Sequence, residues 1–458
     1  MARAAASLPL ADKLLYGVAS LGNSALFWSQ SLWLVFFYSG AEGSGVPERL
    51  PVALVGVALG LGRFIEIFDD PVIGWWSDRT RSRWGRRIPF LLLGTPVVVL
   101  GFWLIWNPPD PEATLFNILY FFVVIQLFFL GRTIVEAPYD ALQAELVSTS
   151  PERVSLGAWK VFFGIFGVVI GLVLSPLLIG ALGFGGMGLV LAVVAAAALY
   201  TMLFGLWRRG TLRATDPLPA ERPPLFRSLL GALRHRAFLA LAASFMLFNL
   251  GYQLLIMLLP FYLTVWLGVS RDDVTWFTGG VTLFVLLALP GMTFGARRLS
   301  KRALYAGSMA ALGLYLIFLA LGAYQPILPG VGLFAQALVL VSLSGLGFAA
   351  LFVFPGAMVA DVIDDDARCT GQGRAAIYYG MFKTLEKLAQ AASAVLFGVI
   401  LGVFGSTSAE PLGIQLVMPI AGAAVLAGFA VVYLGYHLRE AAGGPMLDLG
   451  ESKVAGPS

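Results

Sequence analysis

The chain carries about a dozen stretches of roughly twenty apolar residues, each long enough to cross the ~30 Å hydrocarbon core of a bilayer as a helix. Runs such as GLVLAVVAAAALYTMLFGL are apolar on every face. A membrane barrel strand instead alternates polarity over about ten residues. The spans therefore read as helices, which satisfy their own backbone groups in lipid. They are expected at 12–38, 50–77, 88–106, 114–146, 155–181 and 186–206, and again at 237–268, 274–295, 304–322, 332–361, 374–404 and 413–438. Composition agrees: of 458 residues, 59% are hydrophobic and only 12% charged, about half the charge of an ordinary soluble domain. The expectation is an all-α integral membrane protein.

The basic residues fix the topology. Arg79, Arg81, Arg83, Arg86 and Arg87 follow the second span, Arg208 to Arg236 holds seven arginines between the sixth and seventh, and Arg297, Arg298, Lys301 and Arg302 follow the eighth. The intervening connectors NPPDPEA, ALGFGGMG and GAYQPILPG have none. Lys- and Arg-rich short loops stay cytoplasmic, so both termini are expected in the cytoplasm of a cell (inner) membrane protein, and the net charge of +4 is a topology signal rather than a nucleic-acid footprint. The first span carries Asn23, Ser24 and Gln30 with no cleavage site after it, which argues against a removable signal peptide. One cysteine, Cys369, and two histidines, His235 and His437, leave no basis for a disulfide or a His/Cys metal site.

The Pro- and Arg-containing stretch 208–236 divides the chain into two six-helix bundles, 1–207 and 237–438, ahead of a polar tail, 439–458, expected to be disordered. Basic clusters recur at the same place in each half, SDRTRSRWGRR and GARRLSKRA. A six-helix duplication that rocks about a midplane site is how alternating-access transporters are built.

Ionisable residues inside a span each cost several kcal/mol unless paired or facing water, which makes them the candidates for function. In RFIEIFDDPVIGWW, residues Arg63, Glu66 and Asp70 share one helix face, with Asp69 rotated about a quarter turn away. Two carboxylates one turn apart repel until a proton or metal cation relieves them. Pro71 also frees a backbone carbonyl as an oxygen ligand beside Asp70. Glu66, Asp70, Asp69 and Glu136 are thus the candidate cation ligands, and three acids against one base in the second span predict surplus negative charge. The fourth span adds Arg132, Glu136 and Asp140, the fifth Lys160, and the eleventh Lys383, Glu386 and Lys387, so an acidic wall is expected to face a basic one, with Lys387 reaching across. Aromatic groups near these stripes, Trp28, Tyr139, Trp159, Tyr378 and Tyr379, could stack on a sugar.

Four blocks then carry a family resemblance over nearly the whole chain: DDPVIGWWSDRTRSRWGRRIPFLLLGTP, EAPYDAL, MVADVIDD and TLEKLAQA. The sequence resembles the glycoside–pentoside–hexuronide cation symporters, the melibiose-permease-like branch of the major facilitator superfamily. The resemblance implies twelve helices in two halves and a cation-coupled symport of a sugar or glycoside. It implies Glu66 and Asp70 as cation ligands, Glu136 shared between cation and solute, and Lys387 as the span-11 lysine. It places Asp361 and Asp364, with Arg83, Arg86 and Arg87 of the basic loop, in a cytoplasmic gate; Arg63 within the second span is expected to act in gating as well. Asn23 and Ser24 stand where melibiose permeases have a sugar-binding acid, and Glu66 and Glu136 where they have aspartates. The expected solute contacts are Asn23, Trp28, Glu136, Tyr139, Asp140, Trp159, Lys160, Lys383 and Lys387. The sodium-dependent lysolipid symporters share a similar Asp-Pro span and a DVIDD-like block, so a lysolipid or other amphiphile is the alternative cargo; a transporter-like sensor or a membrane enzyme is the remote one. No cofactor is expected beyond a coupling H⁺ or Na⁺. The partners expected are the small-molecule solute, the coupling cation and the lipid bilayer, with the carrier working as a monomer.

Overall fold

The computed structural model describes residues 8–147, 149–209, 235–322, 330–370 and 374–437, and within them it holds helices and turns but no strand. The helices of the first half are α1 Leu10–Tyr38, α2 Val52–Arg79, α3 Ile88–Ile105, α4 Leu115–Leu146, α5 Ser150–Val169 and α6 Ser175–Arg208. Those of the second are α7 Arg236–Phe261, α8 Val274–Gly295, α9 Lys301–Gly322, α10 Leu333–Thr370, α11 Ala375–Phe404 and α12 Leu412–Gly435. Most of the connector 208–236 and all of the tail 439–458 lie outside the described residues.

Nine runs of the described helices are long and apolar enough to cross a membrane, and one of these, Glu152–Arg208, contains both α5 and α6. Counting that run as two crossings and adding α1 and α2 gives twelve. The two exceptions have physical reasons. α2 carries Arg63, Glu66, Asp69, Asp70 and Asp78. α1 is buried along most of its length, so neighbouring helices rather than lipid surround its polar residues. On α2, Leu61, Phe64, Phe68, Val72 and Trp75 are exposed while Arg63 and Glu66 on the other side are buried, which divides lipid face from interior.

α5 runs without interruption through a π-helical turn, Ile170–Leu174, into α6. The reversal between the fifth and sixth crossings falls at Gly183, whose φ of 72° and ψ of 176° end the helix and start the next. A second π turn, Tyr262–Trp266, extends α7. Each turn lies within two residues of a proline, Pro176 or Pro260, whose missing N–H removes one i to i−4 bond and lets the helix widen. Hydroxyls take up part of the slack: Ser175 Oγ donates to the Gly171 carbonyl at 2.6 Å and Thr264 Oγ1 to that of Pro260 at 2.8 Å.

The halves meet along α1 with α7, α2 with α11, and the first π turn with α8. The α2–α11 crossing is made of backbone: a Cβ on Gly56 would lie 2.5 Å from the Ala394 carbonyl oxygen, and one on Gly398 would lie 2.8 Å from the Gly56 Cα. Small residues at such spacing let membrane helices touch closely. This seam belongs to the end remote from the Arg-rich connectors. At that remote end the α1–α2 loop also grips the second half, since Thr264 Oγ1 donates to the Glu42 carbonyl at 3.2 Å, Arg271 Nη1 to the Ser44 carbonyl at 2.6 Å, and the Ser408 N–H to the Glu42 carboxylate at 3.0 Å.

At the tip of the basic end several ion pairs tie helices of one half together. Arg86 and Arg87 hold Glu145 on α4, at 3.2 and 2.9 Å, and Arg87 also holds Asp78 at 2.6 Å and donates to Ser77 at 2.5 Å. In the second half Lys301 holds Asp361 at 2.6 Å and His235 meets Asp365 at 3.3 Å. α10 continues nine residues beyond its expected end at 361 and carries these aspartates on a helix rather than a loop.

Candidate solute and cation site

Glu66 is the centre of the polar interior. Its side chain is 0% exposed and lies among three bases: Arg63 Nη1 donates to it at 2.8 Å, while Arg132 Nη2 and Lys387 Nζ stand 3.4 and 3.2 Å from Oε1. A buried carboxylate persists only where such pairing replaces its hydration. The three bases come from α2, α4 and α11, so one anion ties both halves together. Arg63 turns its other nitrogen to Gln30 Oε1 on α1 at 3.1 Å, and its guanidinium lies 4.1 Å from the ring centre of Phe129. The Phe27 ring sits between the two guanidiniums, 5.4 Å from Arg63 and 4.9 Å from Arg132.

One turn along α2, Asp70 accepts from Thr133 Oγ1 at 3.2 Å and takes Lys387 Nζ at 2.7 Å; its side chain is 37% exposed. Lys387 therefore occupies the space between the two carboxylates singled out as cation ligands. Glu136 pairs with Arg132 at 3.4 Å and keeps a third of its surface open. Asp69 is half-buried beside these groups and within the field of Glu66, Asp70 and Lys387. Glu386 lies in the field of Lys383, Arg132, Glu136 and Lys387. The surplus negative charge expected for the second span is thus largely cancelled by Arg132 and Lys387, which sequence separation had hidden.

A second cluster lies nearer the basic end. Asp140 on α4 takes both Lys160 of α5 and Lys383 of α11, a link between the halves whose Lys383 side chain is 63% exposed. Behind it the rings of Tyr16 and Tyr139 stack at 4.7 Å, and each hydroxyl donates to the other's carbonyl.

The remaining candidates divide by exposure. Tyr139 is buried, and so is Trp28, whose ring packs edge-on against Tyr252 of α7; in this conformation both are walls of the core. Asn23 is buried on α1, Trp159 is half-buried against Phe162, Tyr378 is buried and Tyr379 exposed. Arg83 is exposed over Trp84, and Asp364 is exposed beside the Lys301–Asp361 pair. The structure adds Thr133, Glu145, Gln253 and Gln390. Glu145 could have been sought as the acid needed by the arginine cluster; the two neutral amides gave no charge signal.

A cavity of about 30 Å³ opens between the halves beside Arg63, with Gln30, Ser31, Gln253 and Gln390 as its other polar lining and Val35, Leu59, Met257 and Ala394 as its apolar lining. That is room for about two waters.

The chain matches, over residues 15–440, the family model described as MFS/sugar transport protein. An uncharacterized symporter of Synechocystis sp. is 27% identical over 90% of this chain and 89% of its own length. The inner membrane symporter YicJ of Escherichia coli is 30% identical over 50% of this chain and 47% of its own. The sodium-dependent lysophosphatidylcholine symporter 1 of Gallus gallus is 22% identical over 74% and 69% respectively. In fold, the crystal structure of the nucleoside transporter NupG aligns with a TM-score of 0.65 over 92% of this chain and 98% of its own, at 14% identity.

Proposed function

The chain belongs to the MFS/sugar transport protein family of multi-pass membrane transporters, and from that premise we propose that it is a cation-coupled symporter of a sugar or glycoside working by alternating access. The observation that carries this reading is Lys387 seated between Asp70 and Glu66. A carboxylate pair that already holds an ammonium group is built to hold a monovalent cation in its place.

Charge bookkeeping supports one such cation. Six carboxylates, Glu66, Asp69, Asp70, Glu136, Asp140 and Glu386, stand against five bases, Arg63, Arg132, Lys160, Lys383 and Lys387. With every group ionised, one negative charge is left over. A lone charge is costly in an occluded state, so one H⁺ or Na⁺ at Asp70 and Glu66 neutralises the interior and permits closure. Displaced from Asp70, Lys387 becomes free to meet the solute together with Glu136, and the exposed pair Lys383–Asp140 lines the route in. The close inter-half seam at the remote end, set against the largely exposed Lys383 of the inter-half pair nearer the basic end, supports a carrier open toward the basic side. That side is the cytoplasm of an inner-membrane protein if the basic connectors obey their usual rule.

Vesicle uptake tests the reading. Energy-depleted vesicles holding the carrier are given imposed Na⁺ or H⁺ gradients and a panel of radiolabelled glycosides, with Glu66→Gln and Asp70→Asn as comparisons. Accumulation of a glycoside driven by one gradient, lost in both variants, is expected; accumulation indifferent to both substitutions would sink the ion site. The lysophosphatidylcholine-transporting relative supports a second cargo, so the panel includes that lipid, and its uptake without any glycoside would reassign the substrate.

A further inference from the structure

The cavity beside Arg63 is lined by amides contributed from both halves: Gln30 on α1, Gln253 on α7 and Gln390 on α11. All three side chains are buried, at 3, 4 and 7% exposure. α1 and α7 are the opening helices of the two bundles, so the cavity has an amide on each side of the seam along which the halves move. Gln390 is the informative member. Its Nε2 lies 3.5 Å from Glu386 Oε1, whereas its Oε1 is buried without a hydrogen-bond partner among the described residues. An unsatisfied buried carbonyl costs about 1–3 kcal/mol, and it is retained here on the wall of a polar cavity.

The chemistry of the lining narrows the ligand. A primary amide presents a donor and an acceptor from one plane, which matches a pair of neighbouring hydroxyls, each able to donate and accept. The cationic member, Arg63, is already committed to Glu66 and Gln30, so the lining shows a ligand no net charge. A carboxylate or phosphate would enter unpaired, and an acyl chain would leave the Gln390 carbonyl unsatisfied. Val35, Leu59, Met257 and Ala394 supply an apolar patch of the sort that the ring face of a sugar can cover.

Resting on the symporter reading above, we propose that Gln30, Gln253 and Gln390 form the closed end of the solute site, an amide cradle that selects uncharged solutes by vicinal hydroxyls and borders the ion site through Arg63. In the conformation described, the cradle has closed to the volume of about two waters, and separation of α1 from α7 and α11 opens it. Because the amides belong to opposite halves, a solute that bonds to both draws the halves together. Cargo occupancy and closure are then one event.

The test uses the full chain in nanodiscs. Equilibrium binding of radiolabelled methyl glycosides of glucose, galactose and xylose is measured beside glucuronate and lysophosphatidylcholine, for the unsubstituted protein, Gln253→Leu, Gln390→Leu and Gln390→Asn. The thermal shift produced by Na⁺ or by acid is recorded in parallel. Expected is a glycoside whose binding weakens at least tenfold in each leucine variant and severalfold in Gln390→Asn, while the cation-induced shift is kept; that retained shift also shows that the variants are folded. Glycoside binding within twofold of the unsubstituted protein in both leucine variants overturns the cradle and leaves the symporter reading standing. Failure of the unsubstituted protein to bind any glycoside, with lysophosphatidylcholine or glucuronate bound instead, overturns the sugar reading and the cradle together.

Discussion

Replacing Lys387 by methionine keeps the length of the side chain and removes the charge that bridges Asp70 and Glu66. At an effective dielectric of about 20, contacts of 2.7 and 3.2 Å correspond to gross attractions of roughly 6 and 5 kcal/mol. Dehydrating the ammonium group offsets several kcal/mol of this, and water reaches the 37% of the Asp70 side chain left open. If about a third of the stronger contact survives, a cation entering the unsubstituted site must overcome about 2 kcal/mol to displace the lysine. In Lys387→Met that barrier is gone and the excess negative charge has doubled. Cation affinity is then expected to rise about thirtyfold, at 1.4 kcal/mol per tenfold. The cation-free protein loses stability, because removal of one partner of a buried pair typically costs 3–5 kcal/mol, and saturating cation restores about 2.7 kcal/mol at a hundred times the Kd. Thermal melting in nanodiscs, titrated with NaCl against choline chloride at constant ionic strength and separately with pH, measures both effects. A variant whose cation midpoint equals or exceeds that of the parent would refute the displacement argument.

Glu66→Gln leaves Arg63, Arg132 and Lys387 around a neutral amide; it is expected to lower stability by about 3–5 kcal/mol and to abolish gradient-driven accumulation, read by melting and vesicle uptake. Asp140→Asn leaves Lys160 and Lys383 facing each other, and adding Lys383→Met should recover most of the lost stability; a double variant no better than the single one argues against the link between halves. Gly398→Val puts a side chain where a Cβ already lies 2.8 Å from the Gly56 Cα. The overpacking costs about 1–3 kcal/mol and should pry the remote end open. A Ser44→Cys reporter, buried in the closed strap, in a Cys369→Ser background should then react severalfold faster with an impermeant maleimide, and an unchanged rate would show that the glycine seam does not hold that end shut.

Much of the fold was legible because lipid imposes one rule on every span. The expected 274–295 is α8 as observed, and the expected gap between 181 and 186 contains the reversal at Gly183. What hydropathy could not see was a helix leaving the membrane: the segment VIDDDARCT is polar, yet α10 carries it to Thr370. Nor could it see the π turns, which depend on where a proline deletes one hydrogen bond. At the site, helix spacing placed Arg63, Glu66 and Asp70 together within α2, but the neutralisation of their charge came from Arg132 and Lys387, 66 and 321 positions from Glu66 along the chain. Gln253 and Gln390 escaped because a search for costly charges passes over neutral amides.

The strap between α1 and α2 has a consequence for how the molecule tolerates change. Two of its three grips are main-chain carbonyls, those of Glu42 and Ser44, so the exposed side chain at 42 governs only the bond to Ser408, while the buried Ser44 hydroxyl closes a turn with Val46. What cannot drift is the path of the chain, bent through left-handed φ values of 58°, 79° and 66° at Gly40, Gly43 and Gly45. One inserted residue would slide both acceptors by about 3.5 Å, beyond the reach of Thr264 and Arg271. The seal at the remote end thus reads the length of the strap more strictly than the side chain at 42.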